Sequence, residues 1–474
     1  MKTKLFALIL AVVGLFSACA PKVQEDRHGN YVIKNNTIVF DEPQRQEGQK
    51  SVLQFAVDPI ENVRIGFIGL GMRGPDAVDR MTYIDGVTVV ALCDIEPDRV
   101  EAVQTNILEA KGLPRAAAYT GREAWRELCE RDDIDLVYIA TNWQTHVMMA
   151  TYAMQCGKHV AVEVPAATSI EECWQLVDVA EQTQRHCMML ENCCYDFFEL
   201  TALNMAQQGL LGELIHGEGA YIHNLEPYWH DYYENWRLEF NQSHSGDVYP
   251  THGLGPLCQA FNIHRGDRMK TLVSMGTPSY KGKEVAKEMM GVDEFANGDM
   301  TTTMIQTEKG KTLLIEHDVY TYRPYNRLYQ LTGTTGFANK YPSEGFTVLE
   351  ENLPVGFLND VLAEGQHLNP HGFVPAAVRD KILKEYLHPI AVEIEEKAKE
   401  VGGHGGMDFV MDYRLIYCLH NGLPLDQDVY DAAEWSCLGE LTAASIANGG
   451  MPVAIPDFTR GDWNKVQGYR HAVK

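Results

Sequence analysis

The sequence predicts an α/β chain in two parts: a doubly wound parallel sheet, then an α+β domain with an open, largely antiparallel sheet. Three observations carry this. From Val63 to about Leu190, short β-branched runs alternate with helical stretches, the rhythm of β-α-β units. The first run, Arg64-Ile-Gly-Phe-Ile-Gly69, leads straight into Gly69-x-Gly71-x-x-Gly74. Beyond Cys193 the rhythm changes to apolar-alternating runs separated by aromatic, polar loops.

In the first part, strands are expected at 64–69, 87–93, 134–140, 159–164 and 186–190, with helices between them at Pro97–Lys111 and His146–Gly157. Gly69 permits a tight turn off the strand, Gly71 lets the backbone approach a pyrophosphate, and Gly74 allows close helix–strand packing. The helix that follows offers unpaired N–H groups to phosphate. The second run ends in Asp94, about 20 residues past Gly74, where an acid binds the adenosine ribose hydroxyls and repels a 2′-phosphate. Arg99 is the nearest arginine and reads as a solvated helix residue. A Rossmann domain over residues 63–192, binding NAD rather than NADP, follows. Ligands of such sheets sit beyond the carboxyl ends of the strands. That draws attention to Asp94, to 141–146, to 163–165 and to Glu191-Asn192.

The second part, residues 193–474, opens with a helix at Phe197–Gln208. Strand-like runs follow at 213–221, 271–275, 300–307, 312–318 and 327–332. Residues 352–400 read as helices and loops, and 407–449 as helices that return to pack on the first domain.

Composition bounds the function. Of 474 residues, 45% are hydrophobic and 22% charged, and 40 Lys plus Arg against 65 Asp plus Glu give a formal charge of −25. Such a chain has nothing to replace counterions on phosphate, which argues against nucleic acid or an anionic membrane surface as partner. It suits an enzyme acting on a neutral small molecule or glycan. Lys2 and Lys4 precede the apolar run Leu5–Phe16, a signal-peptide pattern too short to span a bilayer. Phe16-Ser17-Ala18-Cys19 resembles a bacterial lipoprotein box, with plain secretory cleavage as the alternative. Residues 1–19 are therefore expected as a signal with Cys19 lipidated, and 20–62 as a tether and lead-in. The protein is expected to be exported and held on the bacterial cell envelope, touching membrane only through that anchor. The 10 cysteines besides Cys19 show no CxxC pair and no histidine at metal spacing, so no metal site is expected. Cys93, Cys156 and Cys173 read as small buried residues, and no disulfide is specified. Self-association stays open.

The chain resembles the Gfo/Idh/MocA oxidoreductases over nearly all its mature length. Those enzymes usually carry Glu-Lys-Pro where this chain has Glu163-Val164-Pro165. They also commonly place an acid four residues before a catalytic histidine, where this chain has Val248 before His252, with Asp247 one step out of register. Both departures argue against an ordinary dehydrogenase. A closer resemblance is to glycoside hydrolase family 109, the NAD-dependent α-N-acetylgalactosaminidases. It rests on Gly69–Gly74, Trp143-Gln-Thr-His146, Glu163-Val164, Glu191-Asn192, Trp236-Arg237, Tyr249-Pro-Thr-His252, Arg323-Pro-Tyr-Asn326 and Gly402-Gly-His-Gly-Gly-Met-Asp408.

Carried over, that resemblance implies NAD contacts at Met72, Arg73, Asp94, Trp143, Gln144, Thr145, His146, Glu163, Val164 and Asn192. It implies sugar contacts at Tyr221, Arg237, Tyr249, Pro250, Thr251, His252 and Tyr325. The implied reaction oxidises C3 of a terminal α-linked N-acetylgalactosamine, removes the C2 proton, expels the glycosidic oxygen, adds water and reverses. Configuration is retained and NAD is regenerated. This differs from the two-carboxylate route of most glycosidases. His252 is the expected base at the C3 hydroxyl. Tyr249 or Tyr325 serves at C2 with Arg237 as the nearby cation, and His404 reaches the leaving group. The aromatic loop 221–237 suits apolar sugar faces. Two other readings stay open: an exported NAD-dependent sugar dehydrogenase, and a non-catalytic NAD-bound glycan-binding protein.

Overall fold

The structure, a computed structural model, describes residues 26–474. The signal segment and Cys19 lie outside the described residues. Part of the stretch expected as a tether is instead an antiparallel ribbon: β1 (Asp26–His28), β2 (Tyr31–Lys34) and β3 (Thr37–Phe40). Asn35 and Asn36 form the β2–β3 turn with φ of 51° and 59°. Asparagine tolerates that conformation, and its twist suits a two-residue hairpin. The lead-in beyond it is clamped down, since Arg45 donates to both oxygens of buried Glu181 at 3.0 and 2.8 Å.

Six strands make the first sheet: β4 (Val63–Ile68), β5 (Val87–Asp94), β6 (Ala117–Thr120), β7 (Leu136–Ile139), β8 (His159–Val162) and β9 (Cys187–Met189). They are parallel, in the order β6-β5-β4-β7-β8-β9. β7 and β8 are buried along their whole length, the reason they read as unbroken apolar runs. The strand order reverses between β4 and β7, and the ligand crevice of this topology opens at that point, beyond the carboxyl ends. β6 was not expected from the sequence; its half-exposed Ala-Ala-Tyr-Thr is too short to stand out.

The second sheet has 11 strands in the order β1-β2-β3-β17-β11-β12-β13-β10-β14-β15-β16. Its new members are β10 (Leu214–Ile222), β11 (Met269–Gly276), β12 (Thr301–Thr307), β13 (Thr312–Asp318), β14 (Tyr329–Gly333), β15 (Gly336–Asn339), β16 (Gly345–Val348) and β17 (Val453–Ala454). It is antiparallel except at β10–β13 and β3–β17. The helix Thr251–Ala260 lies hard against β10. A Cβ on Gly219 would stand 2.1 Å from the Gly253 carbonyl oxygen, so only glycine at this crossing lets the two backbones meet. The close approach sets His252 of the helix beside Tyr221 of the strand, ring centroids 5.2 Å apart.

The late helices return to the Rossmann domain. Met407–Asn421 packs on Gly74–Met81, where Arg80 Nε donates to Asp412 Oδ2 at 2.7 Å. Val429–Ser436 packs on Ile170–Thr183, and Tyr430 donates its hydroxyl to Glu181 Oε1 at 2.6 Å. Glu181 also accepts from Arg460 Nη1 at 2.6 Å. One carboxylate thus ties the lead-in, the Rossmann domain and the C-terminal segment. Glu181→Gln leaves Arg45 with Asp462 alone, at 3.3 Å, and Arg460 with Asp178 alone, and is expected to lower stability by about 1–3 kcal/mol. The measurement is the urea midpoint at unchanged m-value; an unshifted midpoint would refute the clamp.

Candidate active site

The glycine turn is shaped to receive a dinucleotide. Gly69 has φ +93° and Gly74 lies so close that its Cβ would meet the Gly69 carbonyl oxygen at 2.0 Å. At Gly71 the space is open: a Cβ there would meet only Arg99 Nη1, at 3.8 Å. The helix Gly74–Met81 begins without any side chain capping its first N–H groups. An uncapped helix start beside a bare glycine is a cradle for phosphate, and NAD fits it. Asp94 is buried, with Oδ2 accepting from Leu70 N at 2.7 Å and Oδ1 from Glu96 N at 2.9 Å. It holds the turn as well as facing the crevice. Arg99, expected in solvent, instead sits 3.3 Å from Asp94 Oδ1 and over the Tyr233 ring. The aromatic loop of the second domain thereby covers the adenosine end.

Met72 is exposed at the mouth of the crevice. Arg73 reaches across it, with Nε 3.4 Å from Glu163 Oε1 and Nη2 3.0 Å from Asp408 Oδ2. Asp408 Oδ1 accepts from Asn192 Nδ2 at 2.6 Å, and Oδ2 faces His404 Nδ1 at 2.9 Å. Burial pushes the Asp408 carboxyl up, but His404, Arg73 and Arg80 hold it well below the usual range. His404 has φ +47° between Gly403 and Gly405, a strained backbone that swings its imidazole onto Asp408. Trp143 Nε1 donates to the Val164 carbonyl at 3.1 Å. Gln144 is exposed, and Thr145 bonds back to Asn142 at 2.9 Å. His146 is buried, its two ring nitrogens facing the carbonyls of Pro165 and Thr141 at 2.8 and 3.1 Å. It pins two crevice loops together.

The reactive geometry centres on His252. Its Nδ1 lies 2.7 Å from Glu191 Oε1, and its Nε2 lies 3.2 Å from the Tyr249 hydroxyl. All three side chains are buried. An acid partner for His252, absent at Val248, is supplied by Glu191 from the loop after β9. Asp247 instead accepts from Tyr249 N at 3.2 Å, and burial pushes it up to about 7. Glu191 selects the tautomer with a proton on Nδ1 and leaves Nε2 to accept from Tyr249. Burial holds His252 below the ordinary imidazole range; Glu191 opposes that and Arg327 adds to it. Pro250 and Thr251 start the helix that carries it.

Aromatic rings wall the site. Tyr249 stacks on Trp143 at 5.6 Å and tilts against Tyr221 at 4.9 Å. Arg237 is buried under this cluster, 4.7 Å from the Tyr249 ring and 4.9 Å from Trp143, and its Nη1 donates to Tyr232 Oη at 2.7 Å. Tyr221 Oη lies 2.9 Å from His223 Nδ1, and Tyr325 stands edge-on to His223 at 5.0 Å. Burial, with Arg327 and Arg237, lowers His223 to about 4. Tyr325 is 43% exposed, at the mouth of the site. Burial pushes its phenol up, and Arg327 pulls against that.

Five residues in this constellation had no assigned role in the sequence reading: Glu191, His223, Arg327, Asp408 and Arg99. Glu191 stood among the residues that follow strands, and Asp408 lies one helical turn past His404. Arg327 gave no signal. The fold also brings Glu191, Cys193 and His252 together with ligand atoms within 4.8 Å, a triad no spacing announced. The Arg327 guanidinium, 3.2 Å from Cys193 Sγ, opposes a cation there. The described cysteines are all free.

Residues 195–465 match the model for the glycosyl hydrolase 109 C-terminal domain. Residues 63–191 match that for the NAD-binding Rossmann fold of the Gfo/Idh/MocA oxidoreductase family. A glycosyl hydrolase family 109 protein of Porphyromonas gingivalis is 56% identical, covering 100% of both chains. Another, from Bacteroides thetaiotaomicron, is 58% identical over 93% of this chain and 94% of its own. Among solved structures, levoglucosan dehydrogenase in complex with NADH superposes with a TM-score of 0.60 at 16% identity, covering 84% of this chain and 100% of that one. Apo scyllo-inositol dehydrogenase from Lactobacillus casei gives 0.57 at 14%, covering 84% and 99%. At such identity these two speak for the fold alone.

Two outcomes follow from the geometry. Gly71→Ala is expected to keep its melting temperature within about 2 °C while NAD affinity falls about tenfold or more, whereas Gly74→Ala loses both; differential scanning fluorimetry and calorimetric titration separate them. Glu191→Gln removes the group that raises His252, so the protonated imidazole forms only at still lower pH. The acid limb of the rate profile therefore moves to lower pH, while the plateau drops about 10²-fold or more. A limb that stays in place or moves upward would break the assignment of Glu191 to His252.

Proposed function

The chain belongs to glycosyl hydrolase family 109, and on that premise we propose that it is a retaining glycosidase releasing terminal α-linked N-acetylgalactosamine from glycans. The observation that carries the reading is the buried Glu191–His252–Tyr249 series. Ordinary glycosidases use two carboxyl groups, one of them a proton donor to the leaving oxygen. Here the carboxylates around the site are engaged: Glu191 by His252, Asp408 by Arg73 and His404, Glu163 by Arg73. Proton handling falls to an imidazole and phenols.

The Rossmann domain binds NAD, which when bound supplies a hydride acceptor that gives back what it takes. The remaining work belongs to side chains. Tyr249 Oη receives the proton of a sugar hydroxyl and passes its own to His252 Nε2, with Glu191 stabilising the resulting imidazolium. Burial pushes the Tyr249 phenol well up; Arg237, against the faces of Tyr249 and Trp143, pulls against that and lowers the barrier to the transfer. Trp143, Trp236 and Tyr232 exclude water around it. Tyr325 and His404, both partly exposed, are the groups at the mouth suited to the C2 proton and the leaving oxygen. Export with lipidation of Cys19 belongs to the same proposal, because a cofactor returned unchanged every cycle suits an envelope location.

The test is incubation of the purified mature protein with an aryl α-N-acetylgalactosaminide and no added cofactor. Release of the aryl alcohol without net NADH, lost about 10³-fold or more in a folded His252→Ala variant, is expected. Net NADH formation with free sugar would instead establish a dehydrogenase. Absence of release even with added NAD⁺ would remove this substrate.

A further inference from the structure

The arginines buried in the described residues are Arg80, Arg237, Arg265, Arg327 and Arg414. Three of them are paired with a carboxylate: Arg80 with Asp412 at 2.7 Å, Arg265 with Asp431 at 2.8 Å, Arg414 with Asp426 at 2.7 Å. Such pairing is what a buried guanidinium requires. Arg237 and Arg327 are the exceptions, and both lie in the site. Arg237 is held by the Tyr232 hydroxyl and three aromatic rings. Arg327 has less. Its Nη1 meets two sulfur atoms, Cys193 Sγ at 3.2 Å and Met407 Sδ at 3.9 Å, and its Nε has no hydrogen-bond partner. Neither sulfur offsets the charge: a thioether is neutral, and burial pushes the Cys193 thiol well above its ordinary range. No carboxylate among the described residues comes within ion-pair distance of it.

A full positive charge kept in a buried pocket with neutral, weakly accepting contacts, and with the Glu191 carboxylate acting only from beyond ion-pair distance, is poorly compensated in the folded chain by itself. It sits between strands at the active-site end of the second sheet, over the Tyr325 ring at 5.6 Å. Its charge acts on the groups that handle protons there, lowering both His252 and His223. We propose that Arg327 is a further catalytic residue, whose guanidinium donates hydrogen bonds to an oxygen of the bound sugar that gains negative charge during the reaction. When a hydroxyl proton leaves for the Tyr249–His252 pair, the electron pair of the broken O–H bond stays on oxygen; when a proton leaves the carbon beside a carbonyl, the pair moves onto the carbonyl oxygen. In both cases the oxygen becomes an anion, and a preorganised, desolvated guanidinium is the matching partner. The assignment rests on the glycosidase reading above, and it accounts for the missing counter-ion: the substrate provides one in the transition state.

The test compares wild type, Arg327→Met and Arg327→Lys on a panel of aryl glycosides, using the one that wild type cleaves best. Arg327→Met is expected to lose about 10²–10³ in kcat with KM changed less than about threefold, and Arg327→Lys to recover about tenfold of that loss. Its melting temperature is expected to equal or exceed that of wild type, because methionine replaces an uncompensated charge by an apolar side chain of similar reach. Bound NAD, measured after denaturation, is expected to be unchanged. A kcat within about threefold of wild type would overturn the assignment. So would a rise confined to KM, which marks an ordinary ground-state contact, or a loss that tracks a melting temperature lowered by several degrees. If wild type cleaves none of the panel, the glycosidase reading fails first and this inference with it.

Discussion

The carboxylate of Asp408 joins the glycine turn and the crossing between domains to its own loop, segments far apart in the chain. Arg73 belongs to the glycine turn, Asn192 to the crossing between domains, and His404 to the glycine-rich loop before the helix Met407–Asn421. A single buried anion can satisfy all three only if they hold one fixed arrangement, since a misplaced partner would leave a charge or an amide unpaired away from water. That arrangement places the cofactor crevice, the relay at His252 and the loop bearing His404 around a common space. The neighbouring Arg80–Asp412 pair repeats the device one helical turn further along. Domain docking and site assembly are therefore one event.

The chemistry that results is set by which charges are compensated. Glu163, Glu191 and Asp408 face cations or imidazole; Asp247 alone faces only backbone, and burial pushes it up to about 7. Arg237 and Arg327 have no carboxylate within ion-pair distance, and both lower the basicity of His223. Two buried arginines set among aromatic rings and sulfur are poor neighbours for a cation-like transition state and good ones where oxygen gains negative charge. Electrostatics and the departure from a two-carboxylate arrangement thus point the same way.

Much of this was legible in the sequence, and the reasons differ by element. The parallel sheet announced itself because buried β7 and β8 are continuous apolar runs and the glycine spacing has a mechanical purpose. The ribbon β1–β3 escaped notice because its short strands lie near an expected tether, although Asn35-Asn36 between alternating runs is a hairpin signal. His252 and Tyr249 came into view through the resemblance, which rests in part on Tyr249-Pro-Thr-His252. Glu191 was not, because an orienting acid is defined by distance in space, and here it comes 61 residues earlier in the chain. Arg327 is harder still: nothing in Tyr-Asn-Arg-Leu tells a buried, unpaired arginine from a surface one. Asp247, one step out of register in the sequence, is also out of reach of that role in the fold: its Oδ1 accepts from Tyr249 N.

The pairing of β3 with β17 bears on the order in which the molecule is made. Ile38 lies beside Val453, and Arg45 reaches Asp462 across 417 residues of chain. The edge of the large sheet and the clamp on Glu181 therefore cannot form until the last few dozen residues have been synthesised. Contacts of such separation carry the full entropy of closing the longest loop available, and they form late. Until then the first strands present an unpaired edge, and the Rossmann domain lacks the Arg460 half of its clamp. A nascent chain with that topology keeps its first ribbon and the Glu181 clamp incomplete until its end emerges, so its two ends close the structure together.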